Sequence, residues 1–99
     1  MSVTEKAELQ VAEDKADEFE AILTKGADLV VNSPGGAHAV KIGRGIERPN
    51  VFLLTVTWDD VAAHNAWRET PAFGEFVGLI KDYLTGPTGM EHFAPVVDR

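Results

Sequence analysis

The segment VFLLTVTW, residues 51–58, constrains the fold more than any other stretch. Its length and its β-branched and aromatic content read as a strand. Side chains alternate across a strand, so Phe52, Leu54, Val56 and Trp58 share one face while Val51 and Leu53 lie on the other. A strand that is apolar on both faces must be covered on both. The chain has 99 residues, enough for one domain. Such a domain has helices enough to cover only one face of its sheet. The pattern therefore predicts that a second subunit covers the other.

Changes of hydrophobic period place the remaining elements. Residues 3–11 alternate, with Val3, Glu5, Ala7, Leu9 and Val11 on one face, which predicts a half-buried strand. From about Asp14 the spacing becomes helical. Ala16, Phe19, Leu23, Gly26 and Val30 step by three and four, and Ile22 and Leu29 widen the stripe. Asn32-Ser33-Pro34-Gly35-Gly36 ends that helix. Residues 37–44 (AHAVKIGR) predict a strand paired with 51–58 as an antiparallel hairpin through the turn-prone Gly45–Asn50 segment. On that strand His38 shares a face with Val40 and Ile42. A short helix follows, from Asp59 or Asp60 to Arg68. Thr70-Pro71 restarts a helix, with a hydroxyl at the cap and proline at the first position, and Phe73, Phe76, Val77, Ile80 and Leu84 form its stripe. A last strand over about 90–97 contains Pro95, which marks an edge or a bulge. The order β-α-β-β-α-β is α+β and ferredoxin-like, with an antiparallel sheet.

Charge and composition exclude several functions. Sixteen acidic residues against nine basic give a net charge of −7, which repels nucleic-acid phosphates and anionic membrane surfaces. With no cysteine, disulfides, thiol nucleophiles and thiolate metal sites are excluded. The three histidines are not spaced as metal ligands, so no metal centre is expected. The N-terminus carries charges where a signal peptide needs an apolar run, and no run approaches the ~18 residues of a membrane span. These features predict a soluble, cytoplasmic protein. The acidic cluster Glu13, Asp14, Asp17, Glu18 and Glu20 reads as a solvated face at a helix start. Gly43-x-Gly45 opens no helix, and so reads as a hairpin turn rather than a phosphate loop.

Residues 51–76, VFLLTVTWDDVAAHNAWRETPAFGEF, resemble the antibiotic-biosynthesis monooxygenase group of the dimeric α+β barrel superfamily. The shared features are Trp58-Asp59 at the end of a strand, Ala63-His64 in a short helix, Thr70-Pro71, and Phe73-x-x-Phe76. Asn32-x-Pro34-Gly35 and Glu91-His92 fit the same pattern. The resemblance implies a homodimer whose two sheets meet as a barrel, with a pocket between sheet and helices in each subunit. It also implies chemistry drawn from a varied set: cofactor-independent oxygenation of aromatic polyketides, haem degradation, isomerisation or cyclisation, with some members having no demonstrated activity.

Residue by residue, the resemblance narrows that set. Haem-degrading relatives use an Asn, a Trp and a His. Trp67 matches the Trp, but Ala7 and Phe76 stand at the other two positions, and phenylalanine cannot ligate iron. Cyclase-like relatives place a His after Pro-Ala, where this chain has Phe73. What remains is a pocket rich in aromatics, where the cofactor-independent oxygenation that the resemblance implies needs only a base and a dry interior admitting O₂. His38 and His64 are the candidate bases, and Trp67, Phe73, Phe76 and His92 the candidate contacts to a small aromatic or polyketide-like ligand. Each also has a structural reading: Phe73 and Phe76 fit a core stripe, Trp67 a core tryptophan, and the histidines satisfied or surface positions. The alternative to an enzyme is a ligand-binding or structural dimer that keeps the fold without the reaction.

Overall fold

The computed structural model describes residues 2–35 and 37–99. Met1 and the Gly36 of the predicted helix-ending turn lie outside them. Strand β1 (Val3–Gln10) leads through a 3-10 turn into helix α1 (Ala16–Asn32). The hairpin β2 (Ala37–Arg44) and β3 (Val51–Trp58) follows, then the helices α2 (Val61–Trp67) and α3 (Pro71–Ile80) and the short strand β4 (Glu91–Phe93). The four strands form one antiparallel sheet in the order β2-β3-β1-β4. This is the ferredoxin-like α+β fold. No helix among the described residues is long and apolar enough to cross a membrane.

The helices cover one face of the sheet. Ala16, Phe19, Leu23, Gly26 and Val30 are the buried residues of α1, the stripe that spacing predicts. They pack with Leu9, Phe52, Leu54, Val56 and Trp58 from the sheet and with Trp67, Phe76 and Ile80 from α2 and α3. The Phe19 and Phe52 rings meet edge to face at 5.2 Å.

Four features differ from the sequence expectation. First, β2 has a bulge: Ala37 pairs with Trp58 and Ala39 with the adjacent Thr57, leaving His38 as the extra residue. His38 therefore does not share the face of Val40 and Ile42, which pair with Val56 and Leu54. Second, the Thr70 hydroxyl does not cap α3. It donates 2.6 Å to the Trp67 carbonyl and closes the α2–α3 corner instead. Third, β4 covers only three residues, and Val96 and Val97 beyond Pro95 are exposed. The chain before β4 already runs beside β1, where Thr85 N–H donates to the Gln10 carbonyl and Glu8 N–H to that of Thr88. Fourth, Val51 on the outer face is only 7% exposed, whereas Leu53 is 42% exposed. Arg48 reaches from the β2–β3 turn to Glu8 at 2.9 Å, so the chain's own turn shelters this corner.

Gly26 sets the spacing of α1 and α3. A Cβ placed there would lie 2.8 Å from Cε1 of Phe76, closer than two carbons can pack. Gly26→Ala gains up to about 1 kcal/mol of helix propensity but overpacks a buried ring, which costs about 1–3 kcal/mol. The steric term wins. The variant is expected to unfold at lower urea concentration than wild type with an unchanged denaturant slope, measured by circular dichroism.

Candidate active site

The site begins with a carboxylate on the core face of β1. Glu5 alternates with Val3 and Ala7 and is only 8% exposed. The register places Val56 opposite it on β3 and His92 opposite it on β4. Two residues from β3 and α2 complete its surroundings. Trp58, fully buried at the end of β3, donates its indole N–H to Glu5 Oε1 at 2.9 Å. His64 lies on α2, whose start is fixed by the Asp60 side chain accepting from Ala63 N–H at 2.7 Å. Its ring stacks on Trp58 at 4.7 Å, and its Nε2 stands 3.3 Å from Glu5 Oε1. The other ring nitrogen, Nδ1, is 2.7 Å from Nε2 of His92. Glu5, His64 and His92 thus form one connected polar group beneath an otherwise apolar core.

Burial governs the charges of this group. Loss of solvent pushes the Glu5 carboxyl above its usual range, although the Trp58 hydrogen bond and the nearby His92 and Arg68 pull it back. His64, 3% exposed, is pushed down to about 4 by burial, with His92 and Arg68 adding to the shift. At neutral pH its ring is uncharged. Both of its nitrogens face partners, whereas Glu5 Oε2 makes no hydrogen bond among the described residues. No buried side-chain oxygen among the described residues lacks a partner, so Oε2 retains access to solvent.

That access is through a cleft of about 260 Å³. Glu5 and His64 form its polar end, and Ala7, Leu54, Phe73, Phe76 and Ile80 are among its apolar walls. Arg68 and Lys81 also line it. Phe73 and Phe76 enter the cleft from α3. Trp67 is not a wall. It donates to Ser33 Oγ at 2.7 Å and stands behind Phe73 and Phe76, with edge-on contacts at 5.5 and 6.2 Å. His92 reaches the cleft only through His64. His38 does not reach it: the bulge turns it outward, with its side chain 56% exposed and paired with Asp59. Sequence reasoning missed Glu5 as a functional residue. The available signal was an acid on an apolar strand face. No cluster of three or more potential ligands that could hold a metal occurs among the described residues.

The model of the antibiotic biosynthesis monooxygenase family matches residues 2–79. The chain belongs to that family. The family fold recurs in a Bordetella bronchiseptica protein named for these monooxygenases, 27% identical, with a TM-score of 0.87 over 97% of this chain and 98% of that one. A Nitrosomonas europaea protein of the same naming is 16% identical, with a TM-score of 0.84 over 96% and 90% of the two chains. A Bacteroides thetaiotaomicron protein of unknown function, described as a possible oxidoreductase, is 18% identical, with a TM-score of 0.78 over 93% and 95%. No curated protein matches the chain.

The His64 shift carries a stability prediction. Between pH 6.5 and about 4 the unfolded chain binds a proton at this position that the folded chain refuses. Folding stability is therefore lost as pH falls through this window, by about 3 kcal/mol at its lower end. Glu5 acts in the opposite sense, because burial favours its protonated form. His64→Phe keeps a ring against Trp58 and removes only the histidine contribution. Urea melts across the window should show wild type losing stability relative to this variant as pH falls. Parallel pH curves would contradict the assignment.

Proposed function

We propose that this protein binds a small aromatic molecule in the cleft and oxygenates it without metal, flavin or haem. The observation that carries the reading is the buried Glu5–His64 pair at the end of an apolar cleft. The volume of about 260 Å³ is at or below the ~300–1,000 Å³ usual for ligand pockets, which favours one or two fused rings over a large polycycle. Phe73 and Phe76 offer aromatic faces to such a ring.

In this reading the pair is the base. Glu5 Oε2 accepts the proton from the substrate's activated methylene or hydroxyl and becomes a neutral carboxyl, the form that burial favours, while His64 beside Oε1 stays uncharged and positions it. The resulting electron-rich anion is oxidised by O₂. A carbon–oxygen bond forms, the hydroperoxide loses water, and a methylene becomes a carbonyl: CH₂ and O₂ give C=O and H₂O. The apolar walls keep bulk water from the anion.

Oxygen uptake with one- and two-ring hydroquinones, and with anthrone as the three-ring limit, tests the reaction. Glu5→Gln, which keeps an acceptor for the Trp58 N–H, should lower kcat by about 10²–10⁴-fold, the usual contribution of a positioned acid–base group. His64→Phe should lower it as well, and His38→Ala should leave it unchanged. Ligand binding without oxygen uptake would instead favour the non-enzymatic reading, which draws support from Phe73 and Phe76 standing where some relatives carry histidine.

We also infer that the working unit is a homodimer joined through the outer face of the sheet. Leu53, 42% exposed in mid-strand, and the dimeric arrangement implied by the family resemblance support this reading. Light scattering at micromolar concentration should give twice the chain mass of 10.7 kDa, and Leu53→Lys should shift the population toward monomer. A monomeric wild type would overturn it.

A further inference from the structure

The proposed cleft has an electrostatic character that its aromatic walls do not explain. The chain has only nine basic residues against sixteen acidic ones. Arg44 pairs with Asp17 and Glu20, and Arg48 with Glu8. Arg68 and Lys81, both exposed, line the cleft and make no ion pair among the described residues. The Arg68 guanidinium lies 5.7 Å over the ring of Phe73, which is itself a wall. The lining's one carboxylate, Glu5, is engaged by Trp58 and biased toward its neutral form by burial. In a protein of net charge −7, Arg68 and Lys81 thus bring two positive charges to a cleft whose single carboxylate is the buried Glu5.

We propose that the ligand is an aromatic acid, whose carboxylate meets Arg68 and Lys81 while its ring lies against Phe73, Phe76 and Ile80. Unpaired cations beside an apolar surface select a molecule that is greasy in its body and anionic at one edge. A carboxylate fits better than a phosphate. Arg68 and Lys81 are the C-cap residues of α2 and α3, where helix carbonyls are concentrated. Those carbonyls favour the cations but disfavour a second negative charge. The inferred class is therefore a one- or two-ring aromatic hydroxy acid. The inference rests on the cleft being the ligand site.

Calorimetric titration with 6-hydroxy-2-naphthoate and with uncharged 2-naphthol separates the two readings. Wild type should bind the acid about tenfold more tightly, the scale expected of two partly exposed ion pairs. Higher ionic strength should shrink the difference. The Arg68→Gln/Lys81→Gln variant alters exposed side chains only, and an unchanged thermal midpoint would verify its fold. It should bind both compounds equally, with the 2-naphthol affinity unaltered. Equal binding of both compounds to wild type, or a preference that survives in the variant, would overturn the acid class and leave the cleft as an aromatic site. Failure of wild type to bind either compound would overturn the cleft reading and the acid class together.

Discussion

A carboxylate on the core face of a strand must either find donors or give up its charge, and around Glu5 both happen. Trp58 supplies one donor, burial raises the proton affinity of the acid, and His64 stands where it can share the proton. Holding these groups together takes three strands and a helix. Glu5 comes from β1, Trp58 from β3, His92 from β4 and His64 from α2. The sheet order, with β1 between β3 and β4, is what brings both cross-strand neighbours to one carboxylate. A different strand order would leave Glu5 as an unpaired buried acid, costing several kcal/mol.

The residues that carry the family resemblance have identifiable physical tasks around that centre. Trp58 holds Glu5 and floors His64, while Asp59, next to it, turns outward to His38. Asp60 caps α2 and so sets the height of His64. Ser33, in the Asn32-to-Gly35 turn, receives the Trp67 indole N–H and ties the end of α1 to α2. Trp67 in turn backs Phe73 and Phe76. The motif is thus mainly a scaffold for a cleft. Phe73 and Phe76 make its wall apolar where some relatives place histidine, and the titrating groups lie in the sheet and α2 instead.

Local pattern was a good guide wherever a residue's neighbours are set by its own element. The α1 stripe, both strands of the hairpin and the break at Thr70-Pro71 were legible because helical and strand periods fix which side chains share a face. His38 was misread because one extra residue in a ladder reverses the facing of everything before it, and nothing in AHAVKIGR marks where the bulge falls. The exposure of Val51 was misread because the preceding β2–β3 turn covers it. Phe73 and Phe76 were legible as inward-facing but not as core or wall, since spacing gives the same stripe for both.

The sequence by itself determined the element order, the buried faces, the absence of thiol chemistry and the family, because these depend on residue type and short-range periodicity. Only the tertiary structure decided which polar groups meet. Glu5 and His92 sit near opposite ends of the chain, and their pairing follows from strand register. His64 joins them because α2 packs over Trp58. The proton affinities of Glu5 and His64 arise from that shared burial, so no segment read alone could have assigned them.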